Sequence, residues 1–317
     1  MRRVTLKQLR VLAAVARTGS VTRAAQLLNV SPPAVTLQLQ ILQDEAGLPL
    51  VERSSSGTVL TPAGQEVAEA SERIEVVLAD CAAALSALSG AEQGTVSVGV
   101  VSTAKYFAPR ALAAFARAHP GLDLQLVVGN RADIIQGLRS HAIDIALTGR
   151  PPDELGVKAA VVGDHPHVIV ANQDHPLVSR RRIPPVALQD EIFLVREPGS
   201  GTRDLMERFF ADTGVTPRIG MQIGSNETIK QAVLAGMGVS FLSAHTIELE
   251  ASTRRLVVLD VVGLPIVRTW YAVHLAERRL MPGTRALCEF LTSEGKRYLP
   301  DLGMISDRQE TRQAAGE

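Results

Sequence analysis

Four stretches set hydroxyls, amides and cations at the ends of apolar runs. Ser102, Thr103, Ala104 and Lys105 follow residues 96–101, and Thr148, Gly149 and Arg150 follow residues 143–147. Arg196, Pro198, Gly199, Ser200, Gly201, Thr202 and Arg203 follow residues 192–195, while Ser225, Asn226 and Glu227 follow residues 221–223. Such donors, converging where strands end and helices begin, suit an anionic small molecule, and glycine lets backbone N–H groups approach it. Thr103, Thr202 and Ser225 are equally good helix caps. Covalent chemistry has little support. Ser200 has Pro198 and Thr202, not glycines, two residues to either side, and no Walker loop precedes it. His165 and His167 beside Asp164 hint at a metal, but no HExxH or second cluster accompanies them, so neither metal nor cofactor is expected.

Alternating strands and amphipathic helices must position these stretches. Strands are expected at 96–101, 124–128, 143–147, 168–171, 192–195, 221–223, 239–242, 256–261 and 267–274, and helices at 107–119, 132–140, 202–213, 227–235 and 282–296. This alternation predicts α/β lobes with a mainly parallel sheet. Nine strands suggest two lobes, lobe I at 91–165 and 269–300 and lobe II at 166–268. Residues 163–185 would carry the crossing, 263–268 the return, and the polar tail 301–317 is expected to be disordered.

The N-terminal part is all-α in pattern. Leu9, Leu12, Ala13 and Ala16 mark a first helix. Ser20 opens a second with Ala24, Ala25 and Leu28, Asn29 suits a left-handed turn, and Ser31-Pro32 starts a third that buries Val35, Leu39 and Leu42. Val30 and Val35 would fill the angle. This is a helix-turn-helix that reads duplex DNA, with residues 48–61 as a β-hairpin wing. Lys+Arg and Asp+Glu are both 33 in the whole chain, yet residues 1–43 hold Arg2, Arg3, Lys7, Arg10, Arg17 and Arg23 and no acid. That local excess suits phosphates. Pro32, Thr36, Leu37 and Gln40 would lie nearest the bases, and Ser31, Gln38, Arg23 and Arg53 would hold phosphates; Ser20, Thr22 and Pro33 complete the expected DNA-binding face. A solvated three-helix protein-docking module is the plain alternative.

Thr61-Pro62 starts a long helix in which Val67, Ala70, Ile74, Val77, Cys81, Ala84 and Leu88 form a heptad seam. The seam implies a homodimer, with Cys81 buried on it. Residues 1–60, 61–90 and 91–300 thus divide into a DNA-binding domain, a linker helix and a ligand-binding domain. Aromatic residues are only 3% of the chain, which argues against single-strand or RNA binding by stacking. Two distant cysteines and no spanning segment suggest a reducing cytoplasm and no membrane. A two-lobed solute-binding protein would need an export signal, and an enzyme would need an acid, base or nucleophile set; neither is visible.

The chain resembles LysR-type transcriptional regulators along almost its full length. Gly19-Ser20, Ala24-Ala25, Val30-Ser31, Pro33-Ala34-Val35 and Gln38 carry the N-terminal match, with Pro32 where glutamine is common and Val51 where phenylalanine is usual. Thr103 to Phe107, Gly149 to Pro152, Arg196 to Arg203 and Gly224 to Lys230 are similar to regulators of the RuBisCO, or Calvin-cycle, operon. The resemblance implies a winged helix-turn-helix, a coiled-coil linker helix and a two-lobed α/β effector domain like periplasmic binding proteins. It further implies a homotetramer on double-stranded DNA with dyad symmetry, bending of that DNA, action on RNA polymerase, and activation of carbon-fixation genes. The implied effector is a small anionic metabolite: a sugar phosphate such as ribulose bisphosphate, phosphoenolpyruvate or NADPH.

Overall fold

A computed structural model describes residues 3–54, 57–88 and 94–301. It divides into two compact units between Leu85 and Ser86. The tail beyond residue 301 lies outside the described residues.

In the first unit, α1 (Leu6–Thr18) is opened by a capping box between Thr5 and Gln8 and closed by Gly19 in the left-handed region. Ser20 caps α2 (Val21–Leu27). Asn29 has φ 53°, which turns the chain into α3 (Pro32–Ala46), with Pro32 in the first turn. Ala24 and Ala25 are fully buried, so the small side chains permit the close helix crossing. Val35, Leu39 and Leu42 enter the same core, whereas Val30, expected to fill the angle, is exposed because the turn carries it outward. The wing is β1 (Val51–Ser54) paired antiparallel with β2 (Gly57–Leu60). Thr61 caps α4 (Pro62–Leu88) through its hydroxyl and also binds the Pro49 carbonyl. A β-carbon on Gly64 would stand 1.9 Å from the Leu50 carbonyl oxygen, so the first turn of α4 lies directly against the wing's approach.

Along α4, Val67 is buried and Ala70 partly so, while Ile74, Val77 and Cys81 are exposed on the single chain. The expected burial of Cys81 is against a second chain, so its exposure on the single chain does not bear on it. The side chains of Ala84 and Leu88 lie outside the described residues.

The second unit is built on a seven-stranded sheet in the order β10-β6-β11-β5-β3-β4, with β9 also pairing β6. Its strands are β3 (Gly94–Val101), β4 (Leu122–Gly129), β5 (Ile145–Thr148), β6 (Val157–Asn172), β9 (Ser240–Ser243), β10 (Leu256–Val258) and β11 (Ile266–Leu275). β7 (Ile192–Arg196) and β8 (Arg218–Ile223) form a separate parallel pair. The expectation of a mainly parallel sheet needs correction. β3 is parallel to β4 and β5, but β11 is antiparallel to β5 and β6, and β6 to β9 and β10. The cause is β6, a 16-residue strand where a crossing loop was expected. β6 and β11 run together through both lobes as one ladder from Ile266–His167 to Leu275–Val157.

Lobe I packs α5 (Ala108–Ala118), α6 (Arg131–Arg139) and α10 (Pro282–Ser293) around β3, β5 and Trp270. Lobe II packs α7 (Gly201–Thr213) and α8 (Asn226–Leu234) on opposite sides, with α9 (Glu248–Ser252) beside α8. Apolar burial on this scale, roughly 25 cal/mol per Å² removed from water, is the main force holding each lobe.

Candidate functional site

On the first unit, Ser31, Pro32, Pro33, Thr36, Leu37 and Gln40 are exposed along α3, and Thr22, Arg23 and Arg53 are exposed beside them. Ser20 and Gln38 are partly buried. Helical spacing places Pro33, Thr36, Leu37 and Gln40 on one face, opposite the buried Val35, Leu39 and Leu42. Leu37 is 55% exposed, too large an apolar surface to be explained by this unit's own core. The wing is fixed to the α1–α2 turn: Thr58 N–H donates to the Gly19 carbonyl at 3.0 Å, and a side chain at Gly57 would strike that carbonyl. Two residues have other duties than expected from type alone. Arg10 makes a paired contact with Glu75 of α4 at 2.6 and 3.0 Å, so its charge is partly spent within the unit. That hydrogen bond lowers the Glu75 carboxyl below its usual range. Gln43 accepts from the backbone of Leu50 and Val51, tying the end of α3 to the wing.

In the second unit a cleft of about 150 Å³ opens between the lobes. Of the expected effector residues, Ser102, Thr103, Thr148, Arg150, Arg196, Ser200, Gly201 and Thr202 line it. Ala104 is instead buried in the lobe I core, and Pro198 and Gly199 are exposed. Lys105 lies 3.8 Å from Glu227, which binds Lys230 and accepts from the Tyr106 hydroxyl. Arg203 turns to Glu207, Gln222 and the Arg196 carbonyl. Asn226 and Glu227 do not line the cleft either. They follow β8, and their side chains serve the contact between lobes, Asn226 with Ser102 and Glu227 with Tyr106 and Lys105.

Arg196 is only 3% exposed and donates four hydrogen bonds: Nη1 to Asn226 at 2.6 Å, Nη2 to Ser102 at 3.0 Å, and Nε and Nη2 to Glu197 at 2.8 Å. It joins lobe II to lobe I. The cations that sequence reasoning missed are Arg131 at the start of α6, Arg208 on α7 and Arg268 on β11. With Arg150 and Arg196 they make five arginines against two aspartates, Asp153 and Asp204, in the lining. Burial and the nearby Arg208, Arg150 and Arg131 hold the Arg268 guanidinium below its ordinary range. Mutual repulsion of this kind is relieved by an anion. The N-terminal turns of α6 and α7 reach the same space through Asn130, Gly201 and Thr202, adding backbone donors and favourable helix dipoles.

His165 and His167 form the floor. They share one face of β6, while Asp164 is exposed on the other, because neighbouring strand residues point oppositely. Asp164 thus cannot join them on a metal, and among the described residues no group of three His, Cys, Asp or Glu is placed to hold one. Thr103 and Thr202 make no side-chain cap, whereas Ser225 caps α8. No described helix is long and apolar enough to cross a membrane.

Comparison with known proteins bears directly on both units. Residues 6–65 match the bacterial regulatory helix-turn-helix protein model of the lysR family, and residues 89–296 match the LysR substrate binding domain. The chain belongs to the LysR family of transcriptional regulators. It is thus a DNA-binding regulator whose second unit takes small-molecule effectors, not an enzyme. Among LysR relatives, the HTH-type transcriptional regulator CbbR of Xanthobacter flavus is 52% identical over 300 residues, 94% of this chain and 90% of that one. The RuBisCO operon transcriptional regulator of Allochromatium vinosum is 47% identical, over 95% of this chain and 99% of that one. The solved CcmR regulatory domain of Synechocystis PCC6803, in complex with 2-PG, is 38% identical with a TM-score of 0.62, covering 63% of this chain and 97% of that one.

Proposed function

We propose that the chain activates carbon-fixation genes in response to a phosphorylated metabolite. The observation that carries this reading is the arginine-lined cleft in a chain so similar to regulators named for the RuBisCO operon. Arg131, Arg208 and Arg268 around a small space, beside Arg150 and Arg196 that are paired with Asp153 and Glu197, suit a compact, multiply charged anion more than a neutral or apolar effector. A related regulatory domain solved with 2-PG supports the same ligand class.

Residues 1–60 bind DNA, α4 pairs two chains through Ile74, Val77 and Cys81, and residues 91–300 bind effector. Thr36, Leu37 and Gln40 read bases, Pro32 and Pro33 fix the start of the reading helix, and Arg23 and Arg53 hold phosphates. Two such dimers form a tetramer on a dyad site in the cytoplasm and act on RNA polymerase. Effector in the cleft shifts the balance between lobe arrangements and thereby the cost of bending DNA.

Gel-shift assays with a carboxylase promoter fragment, with and without 2-phosphoglycolate, ribulose bisphosphate, phosphoenolpyruvate or NADPH, test the reading. A specific shift with an effector-dependent bend angle is expected. Absence of specific binding at low salt defeats it.

A further inference from the structure

Beneath the arginines lies a pile of rings. Trp270 rests flat on His165, with centroids 3.7 Å apart and planes 17° apart, and its indole N–H donates to His245 Nδ1 at 3.1 Å. His165 is 4% exposed, and its Nε2 is 3.0 Å from Ser243 Oγ. Its Nδ1 is buried with no hydrogen-bond partner among the described residues. A buried polar atom left unpaired is costly and uncommon. This one sits beneath Gly149: a β-carbon there would stand 2.9 Å from Nδ1, and both residues line the cleft. Glycine at 149 keeps a β-carbon from pressing on the ring nitrogen, which is itself almost sealed from solvent.

We propose that His165 Nδ1 is a specificity contact of the cleft, accepting a hydrogen bond from a hydroxyl group on a bound phosphorylated acid. The proposal rests on the reading of the cleft as an anion site. Burial, with His167, His245 and Arg268 nearby, holds the His165 ring well below the usual histidine range, so it is neutral and one nitrogen is bare. The positive field of Arg131, Arg150, Arg208 and Arg268 favours the tautomer that turns its lone pair toward them. Nε2–H then donates to Ser243 Oγ. Guanidinium groups donate and never accept, so they satisfy a ligand's charged oxygens but offer nothing to its hydroxyl proton. Asp153 is paired with Arg150, and Asp204 is exposed at the rim. Among the described residues lining the cleft, Nδ1 is the buried side-chain acceptor left without a partner.

Isothermal titration of the full-length protein with D-glycerate 2-phosphate and D-lactate 2-phosphate, which differ by one hydroxyl, tests this. The hydroxyl-bearing acid is expected to bind about tenfold more tightly, because its loss leaves a buried acceptor unpaired. His165→Leu should bring the two affinities within about twofold, and His165→Asn, whose amide oxygen falls near the Nδ1 position, should restore part of the difference. Equal affinities in the parent protein, or a preference that survives His165→Leu, overturn the proposal and leave the anion reading intact. If neither acid binds, the anion reading fails and the proposal with it. Imidazole ¹⁵N shifts of the full chain give a check free of variants: a protonated Nδ1 on His165 overturns the proposal.

Discussion

Arg196 Nη1 donates to Asn226 Oδ1 at 2.6 Å while its Nη2 reaches Ser102 across the cleft at 3.0 Å. One buried guanidinium thus holds both lobes, with Glu197 supplying the counter-charge. Replacing it by methionine strands Asn226, Ser102 and Glu197 together. Arg196→Met is expected to destabilise the second unit by about 3 kcal/mol, read from urea unfolding at constant m-value. A loss below about 1 kcal/mol would show that the lobes do not depend on this residue.

The arginines divide into those that line the cleft and those that do not. Arg208→Ala and Arg268→Ala should each weaken 2-phosphoglycolate binding about tenfold or more, since a charge-assisted hydrogen bond is worth roughly 1.5–3 kcal/mol. Arg203→Ala and Lys105→Ala should change it by no more than about twofold. Calorimetry showing the reverse order would relocate the ligand.

On DNA the equivalent contrast is between Arg23 and Arg10. Arg23 is exposed beside α3, so Arg23→Ala should reduce the salt slope of promoter binding by about one. Arg10 is held by Glu75, and Arg10→Ala should leave the slope nearly unchanged. Equal effects in anisotropy titrations from 50 to 200 mM salt, roughly the range in which phosphate contacts are lost, would contradict the assignment.

The buried histidines make stability depend on acid. Burial lowers His167 to about 3 and His245 to about 4, and pushes His165 well down, against an ordinary 6.5. Because the unfolded chain binds these protons first, their contribution is full above pH 6.5 and is lost as pH falls toward 4 and 3. Between pH 6 and 4.5, roughly, each neutral histidine should steepen the fall by up to about 1.4 kcal/mol per pH unit. In urea titrations His245→Phe should flatten the curve; an unaltered slope would mean that His245 is charged in the folded state.

Much of this architecture was legible locally. Ser20, Asn29 and Pro32 punctuate the helix-turn-helix because caps and turns depend on neighbouring residues alone. Bounds of the five expected helices in the second unit agree within three residues for the same reason, while the short α9 was not foreseen. The cleft was half legible. Residues at strand ends and helix starts, such as Thr148 and Thr202, could be assigned from order along the chain. Arg131, Arg208 and Arg268 could not, since they lie in mid-element or beyond a turn, and only folding brings residues so distant in sequence together. Their one available signal was cationic side chains on otherwise core-directed α7 and β11. β6 was missed at its first half because Asp164, His165, Pro166 and His167 look like a loop; pairing with β11 overrides that local preference.

Two continuous strands, β6 and β11, join the lobes, and their ladder is unbroken except for an irregularity between Trp270 and Tyr271. A connection made of paired backbone resists free swinging and yields chiefly by twisting, in the manner of a torsion spring. On the proposed reading, a signal sent by the cleft is a small rotation with a restoring force, which returns the regulator to rest as soon as the metabolite leaves.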